Sequence, residues 1–236
     1  MAPENFNLME GIILAGGFGT RLSHIVKDVP KPMAPIKGTP FLAYVMEYLL
    51  RFKVEKIVMA VGYKAEVIEK YFGNNYKGIE IIYSEEKEPL GTGGAIKKAL
   101  GYCSNESVVV LNGDTYFDVD LNEMKKFHDK NDSKLTIGLK KMFDFDRYGT
   151  VEIENDAIVK FNEKRKMEEG YINGGTYVIS KDIFDGIEKK SFSFETDYME
   201  KFVSKEKFKG FISSGYFIDI GIPEDYYKAD KELKIN

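Results

Sequence analysis

Cysteine occurs once in the 236 residues, at Cys103, histidine twice, at His24 and His128, and tryptophan not at all. So few soft or imidazole ligands exclude a disulfide framework, a structural zinc site and a Cys/His nucleophile pair. Whatever chemistry the chain carries falls to carboxylates, lysine, arginine and backbone amides. Charge of one sign is missing as well: 34 basic and 38 acidic residues are mixed along the chain, for a net −4. That balance provides neither a basic face for nucleic acid nor a polybasic membrane anchor. No apolar run approaches the roughly 20 residues that a membrane helix needs. The start, Met1-Ala2-Pro3-Glu4-Asn5-Phe6, has neither the basic nor the apolar part of a signal peptide. The expected partners are therefore small molecules, with no nucleic acid and no membrane, and the expected location is cytoplasmic.

What is present suits one folded domain spanning 1–236, since 43% hydrophobic and 14% aromatic residues are enough for a substantial core. Short apolar runs at 11–15, 56–61, 79–83 and 107–111 read as buried strands of a parallel sheet. Between them Thr39 and Pro40 predict a helix cap and first turn, followed by Phe41, Tyr44, Val45, Tyr48, Leu49 and Phe52 at helical spacing. The alternation means βαβ units in a nucleotide-binding half, about 9–120. The other half, about 121–236, predicts strands at 135–142, 150–154, 158–163 and 176–180, with helical patterns at 181–189, 195–204 and 223–233. No repeat or linker separates the halves, so a cleft is expected between them at the carboxyl ends of the parallel strands.

The first strand runs straight into Gly16-Gly17-Phe18-Gly19-Thr20-Arg21-Leu22. A dinucleotide fingerprint would need a third glycine where Arg21 and Leu22 stand, and no Walker-type G-x-x-x-x-G-K-[ST] occurs anywhere. A glycine cluster after a strand also serves as a plain tight turn. Here, however, Arg21 beside the glycines and Lys31 between Pro30 and Pro32 set two cations next to backbone amides, which equips the loop for a polyphosphate.

"LAGGFGTRL" with "PKPM" behind it resembles the signature of the sugar-1-phosphate nucleotidyltransferases. The resemblance extends over nearly the whole chain, through "EPLGTGGAIKKAL" (88–100), "LNGD" (111–114), "FNEK" (161–164), "INGGTYVI" (172–179) and "YFIDIGIPEDYYKA" (216–229). One departure is Ser23-His24, where many members carry proline soon after the loop. The resemblance implies a Rossmann-like three-layer α/β sandwich with a mixed, mostly parallel central sheet, of the GT-A-like kind. It implies nucleotide binding by Leu14, Ala15, Gly16, Gly17, Gly19 and Thr20, by Glu86, Glu88, Pro89, Gly91 and Thr92 of the base-reading loop, and by Asn112 and Gly113. Arg21 and Lys31 would be catalytic, Asp114 and Asp219 would hold Mg2+, and Gly149, Glu163, Lys164, Asn173, Gly174 and Glu195 would bind the sugar phosphate. For Asp114 a turn or helix cap is the plainer alternative, as it is for Asp118 and Asp120, and a helix N-terminal glutamate also accounts for Glu195.

The implied reaction is attack by an ionised sugar 1-phosphate on the α-phosphorus of a nucleoside triphosphate, which needs positioning and charge compensation and no protein nucleophile. The acidic stretch "YSEEKEPLGTGG" (83–94) suits guanine, whose N1–H and exocyclic amine form a donor pair that a carboxylate accepts. Within the family the sequence most resembles the bacterial D-glycero-α-D-manno-heptose 1-phosphate guanylyltransferases, which implies GTP and that heptose phosphate as substrates and a GDP-heptose for capsule or other surface glycans. Another sugar-1-phosphate nucleotidyltransferase, making GDP-mannose or a UDP- or dTDP-sugar, and a non-catalytic nucleotide-sensing subunit are the alternatives. Retention of Arg21, Lys31, Asp114, Lys164 and Asp219 weighs against a sensor. No hexapeptide repeat follows the last motif, so a fused acyltransferase β-helix is not expected; a monomer or homodimer is.

Overall fold

The computed structural model describes residues 8–17, 22, 26 and 28–234; Gly19, Thr20 and Arg21 of the expected phosphate loop lie outside them. In chain order the first half forms β1 (Met9–Leu14), a 3-10 turn (Lys31–Met33), β2 (Pro35–Ile36), β3 (Thr39–Pro40), α1 (Phe41–Leu50), β4 (Val54–Val61), α2 (Ala65–Phe72), β5 (Asn75–Tyr76), β6 (Ile79–Glu85), α3 (Gly91–Leu100), β7 (Ser107–Asn112) and β8 (Thr115–Phe117). The second half forms α4 (Leu121–Lys130), β9 (Leu135–Phe145), β10 (Thr150–Glu154), β11 (Ala157–Asn162), β12 (Met167–Ser180), a π-helical turn (Phe194–Met199), α5 (Glu200–Phe202), β13 (Phe208–Ser213), β14 (Phe217–Asp219) and α6 (Pro223–Glu232).

Ten of these strands form one sheet in the order β10-β11-β13-β9-β12-β7-β1-β4-β6-β5. Along β7-β1-β4-β6 the pairing is parallel, with Ile12 set between Val110 and Val58. The long strand β12 runs antiparallel to both β7 and β9, with Tyr177 opposite Val110 on one side and Ile137 on the other. The two halves therefore share a continuous hydrogen-bonded surface.

Successive side chains of a strand point to opposite faces, and here both faces are covered. Ile13, Met59, Val109 and Leu111 pack with α1, α2, α4 and α6 on one side. Their neighbours Ile12, Val58, Val108 and Val110 pack with α3 and the π-helical turn on the other. This is why those runs are apolar at every position, and it produces the three layers. Helix α1 is buried on nearly all sides, from Phe41 to Leu49, which explains its almost uninterrupted apolar sequence. Among the described residues no helix is long and apolar enough to cross a membrane.

Three local expectations are corrected. Thr39 does not cap α1: it pairs with Ile36 in the β2–β3 hairpin, and Pro40 occupies the cap position with no side-chain bond. The pattern at 181–189 is not a helix but a run of turns closed by Ile183 N–H to Ser180 O, Asp185 N–H to Asp182 O and Ile187 N–H to Phe184 O. Gly186, at φ +78°, turns the chain out of any helical path there. The pattern at 195–204 starts one residue early and takes the wider π form before the short α5. Asp120 is the N-cap of α4, accepting from Glu123 N at 3.0 Å, and Asp118 pairs with Arg51.

Near the start of β1, Glu10 is 3% exposed and accepts from the amides of Ser104 (2.6 Å) and Asn105 (2.7 Å) while pairing with Lys56. Burial alone would raise its pKa, but the Asn105 amide, Lys56 and the Ser104 amide outweigh it and hold the carboxyl below the ordinary value. A depressed folded pKa gives stability that is present above the unfolded value of about 4.3 and is lost as pH falls through the folded one. Glu10→Gln is expected to cost about 1–3 kcal/mol at neutral pH, and to flatten the loss of stability that the parent shows in acid. Urea unfolding at pH 7 and pH 3 checks this; equal differences at both pH values would contradict it.

Candidate active site

The carboxyl ends of β1, β4 and β7 open into a cleft of about 630 Å³. At its floor the chain leaves β1 through Ala15, whose amide donates to Ala60 O (2.8 Å), while the Gly113 amide donates to Leu14 O (2.9 Å). Ala15 and Gly113 are thus buried supports, and Leu14, Gly16, Gly17 and Asn112 form the wall. Gly16 and Gly62, each just past a strand end, come so close that a Cβ on Gly62 would meet Gly16 O at 3.1 Å.

Lys31 opens the 3-10 turn, anchored by the buried Pro32 and Met33. Its ammonium lies 2.5 Å from Asp114 Oδ2 and 3.7 Å from Asp219 Oδ1. The two carboxylates are brought together by the β8–β14 pair, in which Asp219 is opposite Thr115, and by Ile220 N–H donating to Asp114 O at 3.0 Å. Thr115 Oγ1 donates to Asp114 Oδ1 (3.2 Å) and Gly221 N–H to Asp219 Oδ1 (2.7 Å). Burial first, then the neighbouring Asp114 charge, pushes the Asp219 carboxyl above its ordinary value, with Lys31 and the Gly221 amide opposing. Two carboxylates sharing one ammonium have residual demand for a cation.

The loop after β6 forms the opposite wall. Glu86 Oε2 accepts from Leu90 N at 3.0 Å, and its other oxygen points at Gly16, where a Cβ would meet it at 2.8 Å. Burial raises the Glu86 pKa, against the Leu90 amide and Lys98. Glu88 is exposed on the outer side of the same loop, away from this cleft. Pro89, Gly91 and Thr92 continue the wall. This loop is zipped to residues 192–195: Phe192 N–H donates to Leu90 O (2.9 Å), and Phe192 O accepts from Gly93 and Gly94 (3.0 and 3.3 Å). Gly91 has φ +67°, and a Cβ there would meet Phe192 O at 2.6 Å, so glycine is required twice over. Thr92 Oγ1 accepts from Phe194 N (2.8 Å) and donates to Glu195 Oε2 (2.6 Å), which also accepts from Ser193 Oγ (2.9 Å).

Of the expected acceptor residues, Glu195 lines the cleft beside Thr92. Asn173 folds its Oδ1 back onto Gly175 N (2.9 Å), at a bulge in β12 where Gly174 packs on Phe117 and Gly175 adopts φ +69° beside Asn112. The Tyr177 hydroxyl is within hydrogen-bonding reach of both Asn112 and Asn173, and its burial pushes the phenol pKa up. Gly149 lies against Asn162 O, and Glu163 and Lys164 stand exposed in the connection from β11 to β12, outside the cleft lining. Sequence reasoning missed Pro32, Gly62, Tyr63, Lys87, Ala95 and Gly221 of the lining, and Tyr177 behind it. Gly62-Tyr63 had a usable signal, the same strand-then-glycine order that marks Gly16.

A parallel sheet ending in facing glycines, with a lysine held between two carboxylates, is the apparatus of a phosphate-transferring α/β enzyme. The chain belongs to the nucleotidyl transferase family, whose pattern matches residues 10–235. It is 52% identical to D-glycero-alpha-D-manno-heptose 1-phosphate guanylyltransferase of Aneurinibacillus thermoaerophilus, over 96% of this chain and 99% of that one. It is 51% identical to the protein of the same name from Campylobacter jejuni subsp. jejuni, over 93% and 97%. HddC from Yersinia pseudotuberculosis, solved alone and complexed with GMP-PN, superposes with a TM-score of 0.85 at 42% identity, over 96% of this chain and all of that one.

The Thr92 hydroxyl serves the Phe194 amide and the Glu195 carboxylate together. Thr92→Val is therefore expected to lower stability by about 1–3 kcal/mol, since it leaves a buried donor unpaired, while Thr92→Ser stays near the parent. Thermal melts of the three proteins check this; a valine variant as stable as the parent would show that the zipper does not depend on this side chain.

Proposed function

We propose that the protein transfers a guanylyl unit from GTP to D-glycero-α-D-manno-heptose 1-phosphate, forming GDP-heptose and releasing pyrophosphate. The observation that carries the reading is Lys31 held between Asp114 and Asp219 at the cleft, across from the Glu86 loop; the two heptose guanylyltransferases at 52% and 51% identity support the substrates. A phosphate oxygen of the acceptor attacks the α-phosphorus, the bond to the β-phosphate oxygen breaks, and pyrophosphate leaves with the electron pair. The chain's own residues orient and compensate charge. Lys31 faces the reacting phosphates, and the backbone around Gly16 and Gly17 lets them approach closely, with Arg21 assigned to the departing pyrophosphate.

Asp114 and Asp219 fit a magnesium ion: both are oxygen donors and both lie near the same Lys31 ammonium, at 2.5 and 3.7 Å. Among the described residues no group of three Asp, Glu, His or Cys side chains forms an all-protein cage, and Mg2+ characteristically binds through one or two carboxylates plus substrate phosphates. When bound, the ion supplies charge neutralisation to the phosphates. The same carboxylates also fix the Lys31 ammonium in place.

Glu86 is the base reader in this account, because its free oxygen faces the cleft while Glu88 faces away. It accepts from guanine N1–H or the exocyclic amine; adenine offers an acceptor at N1, and the pyrimidines lack the donor pair. On the acceptor side Glu195, Asn173 and the backbone of Gly174 are assigned to sugar hydroxyls, with Gly149, Glu163 and Lys164 closing over the sugar phosphate. With GTP as donor, the reaction belongs to the cytoplasm. A nucleotide sensor would have no use for the Lys31–Asp114–Asp219 arrangement.

Pyrophosphate release with heptose 1-phosphate, measured for GTP, ATP, UTP, CTP and dTTP, tests the reading. GTP is expected to exceed the others in kcat/KM by about a hundredfold or more, as loss of one or two buried hydrogen bonds requires. Glu86→Gln should narrow that ratio and Glu88→Gln should not. Equal values for GTP and UTP would remove the guanine assignment.

Asp114→Asn and Asp219→Asn are each expected to lower kcat by about a hundredfold or more while melting like the parent, in keeping with the loss of preorganised charge at the reacting phosphates. Near-normal turnover of either variant at limiting magnesium would refute the shared site.

A further inference from the structure

The connection between β9 and β10 carries Arg147, whose guanidinium lies 2.6 Å from Asp225 Oδ2, with the carboxylate only 19% exposed. Asp225 stands in the first turn of α6, directly after the strand that bears Asp219. Arg147 also lies over the Tyr148 ring, at 5.3 Å from its centroid. Tyr148 in turn meets Phe217 edge-on at 5.9 Å, and Phe217 meets Phe117 in the same way at 5.7 Å. Phe217 and Phe117 are register partners in the β14–β8 pair, two residues from Asp219 and three from Asp114 respectively. One step further along the turn, Gly149 is pressed so closely on Asn162 that a Cβ would meet Asn162 O at 2.5 Å. The Asn162 side chain holds Thr150 Oγ1 at 3.2 Å, and Glu163 and Lys164 follow it directly. A single four-residue turn thus touches the strand pair holding the two carboxylates on one side and the candidate acceptor loop on the other.

We propose that Arg147, through its ion pair with Asp225, is a positioning residue for the sugar phosphate: it clamps Tyr148 onto Phe217 and so sets the spacing between the Asp114–Asp219 pair and the Gly149, Glu163 and Lys164 backbone. The inference rests on the acceptor-site reading above. An ion pair alone at this exposure contributes little to stability; its consequence is geometric, because a displacement of about 1 Å at the acceptor is enough to change catalysis. Burial, and after it the Asp219 carboxylate, pushes the Tyr148 phenol above its ordinary pKa, in keeping with its seat beside that carboxylate. The wall assigned to the base is built from other elements, β1, β4, β7 and the Glu86 loop, so the clamp bears on the sugar phosphate more than on the nucleotide.

The test is a double-mutant cycle on Arg147→Ala and Asp225→Ala, with KM for heptose 1-phosphate, KM for GTP and kcat measured for each. Each single variant is expected to raise KM for the sugar phosphate about five- to twentyfold while KM for GTP stays within about twofold. The double variant should be no worse than the singles, and the exchanged pair Arg147→Asp with Asp225→Arg should recover most of the loss. An Asp225→Ala variant with unchanged acceptor KM, beside an impaired Arg147→Ala, would overturn the proposal, since Arg147 would then act on the phosphate itself. Additive losses, a matching rise in the GTP KM, or parent-like values for both singles would overturn it as well. A parent enzyme that prefers another sugar 1-phosphate would count against the heptose assignment instead, and the same cycle run on that sugar decides the clamp.

Discussion

Two carboxylates within reach of one ammonium set the main constraint on this molecule. Lys31, Asp114 and Asp219 come from an early turn, the end of a central strand and a late strand, and like charges do not gather without compensation. The fold meets that cost with backbone geometry. The two-stranded β8–β14 pair and the Ile220 amide bond to Asp114 O fix the separation, and Pro32 and Met33 pin the turn that presents the lysine. The long strand β12 then locks the late elements to the parallel sheet, so that the site does not depend on two bodies docking. Charge that is fixed in place before a substrate binds needs no reorganisation during a reaction, which is the general source of electrostatic catalysis.

The second structural device is the zipper between residues 90–94 and 192–195. Its glycines are there for contact as much as for freedom. Phe192 packs where side chains at Gly91 and Gly93 would stand, and the Lys190 carbonyl where one at Gly94 would. Through Thr92, the loop after β6 shares hydrogen bonds with Phe194 and Glu195 of the second half. Below, Tyr177 reaches Asn112 and Asn173 from a position of complete burial. The two walls of the cleft are therefore joined through Thr92 and Phe192 at this zipper.

The central strands were legible because burial on both faces leaves an apolar run at every position, and β1, β4, β6 and β7 stand where those runs predict. Segments decided by tertiary partners were not. Thr39 has the chemistry of a cap but is taken by the hairpin with Ile36, and the apolar spacing at 181–189 serves Ile183 and Phe184 in a run of turns. Motif reading named Gly16, Gly17, Lys31, Glu86, Pro89, Gly91, Thr92, Asn112, Asp114 and Glu195, all of which line the cleft. It had no means to separate Glu86 from Glu88, since two residues of loop decide which carboxylate turns inward. Nor does spacing reveal that Tyr177, inside an apolar strand, sets its hydroxyl close to Asn112 and Asn173, or that Arg147 finds a partner 78 residues away.

The most direct test of the central claim is the Lys31→Ala variant, with kcat from pyrophosphate release and GTP affinity from calorimetry on the same preparation. If the ammonium held by Asp114 and Asp219 acts on the reacting phosphates, kcat falls by about a hundred- to a thousandfold while the GTP dissociation constant changes only a few-fold. An unchanged kcat, or a loss confined to GTP binding, would contradict the account and leave Lys31 as a structural counter-ion for the two aspartates.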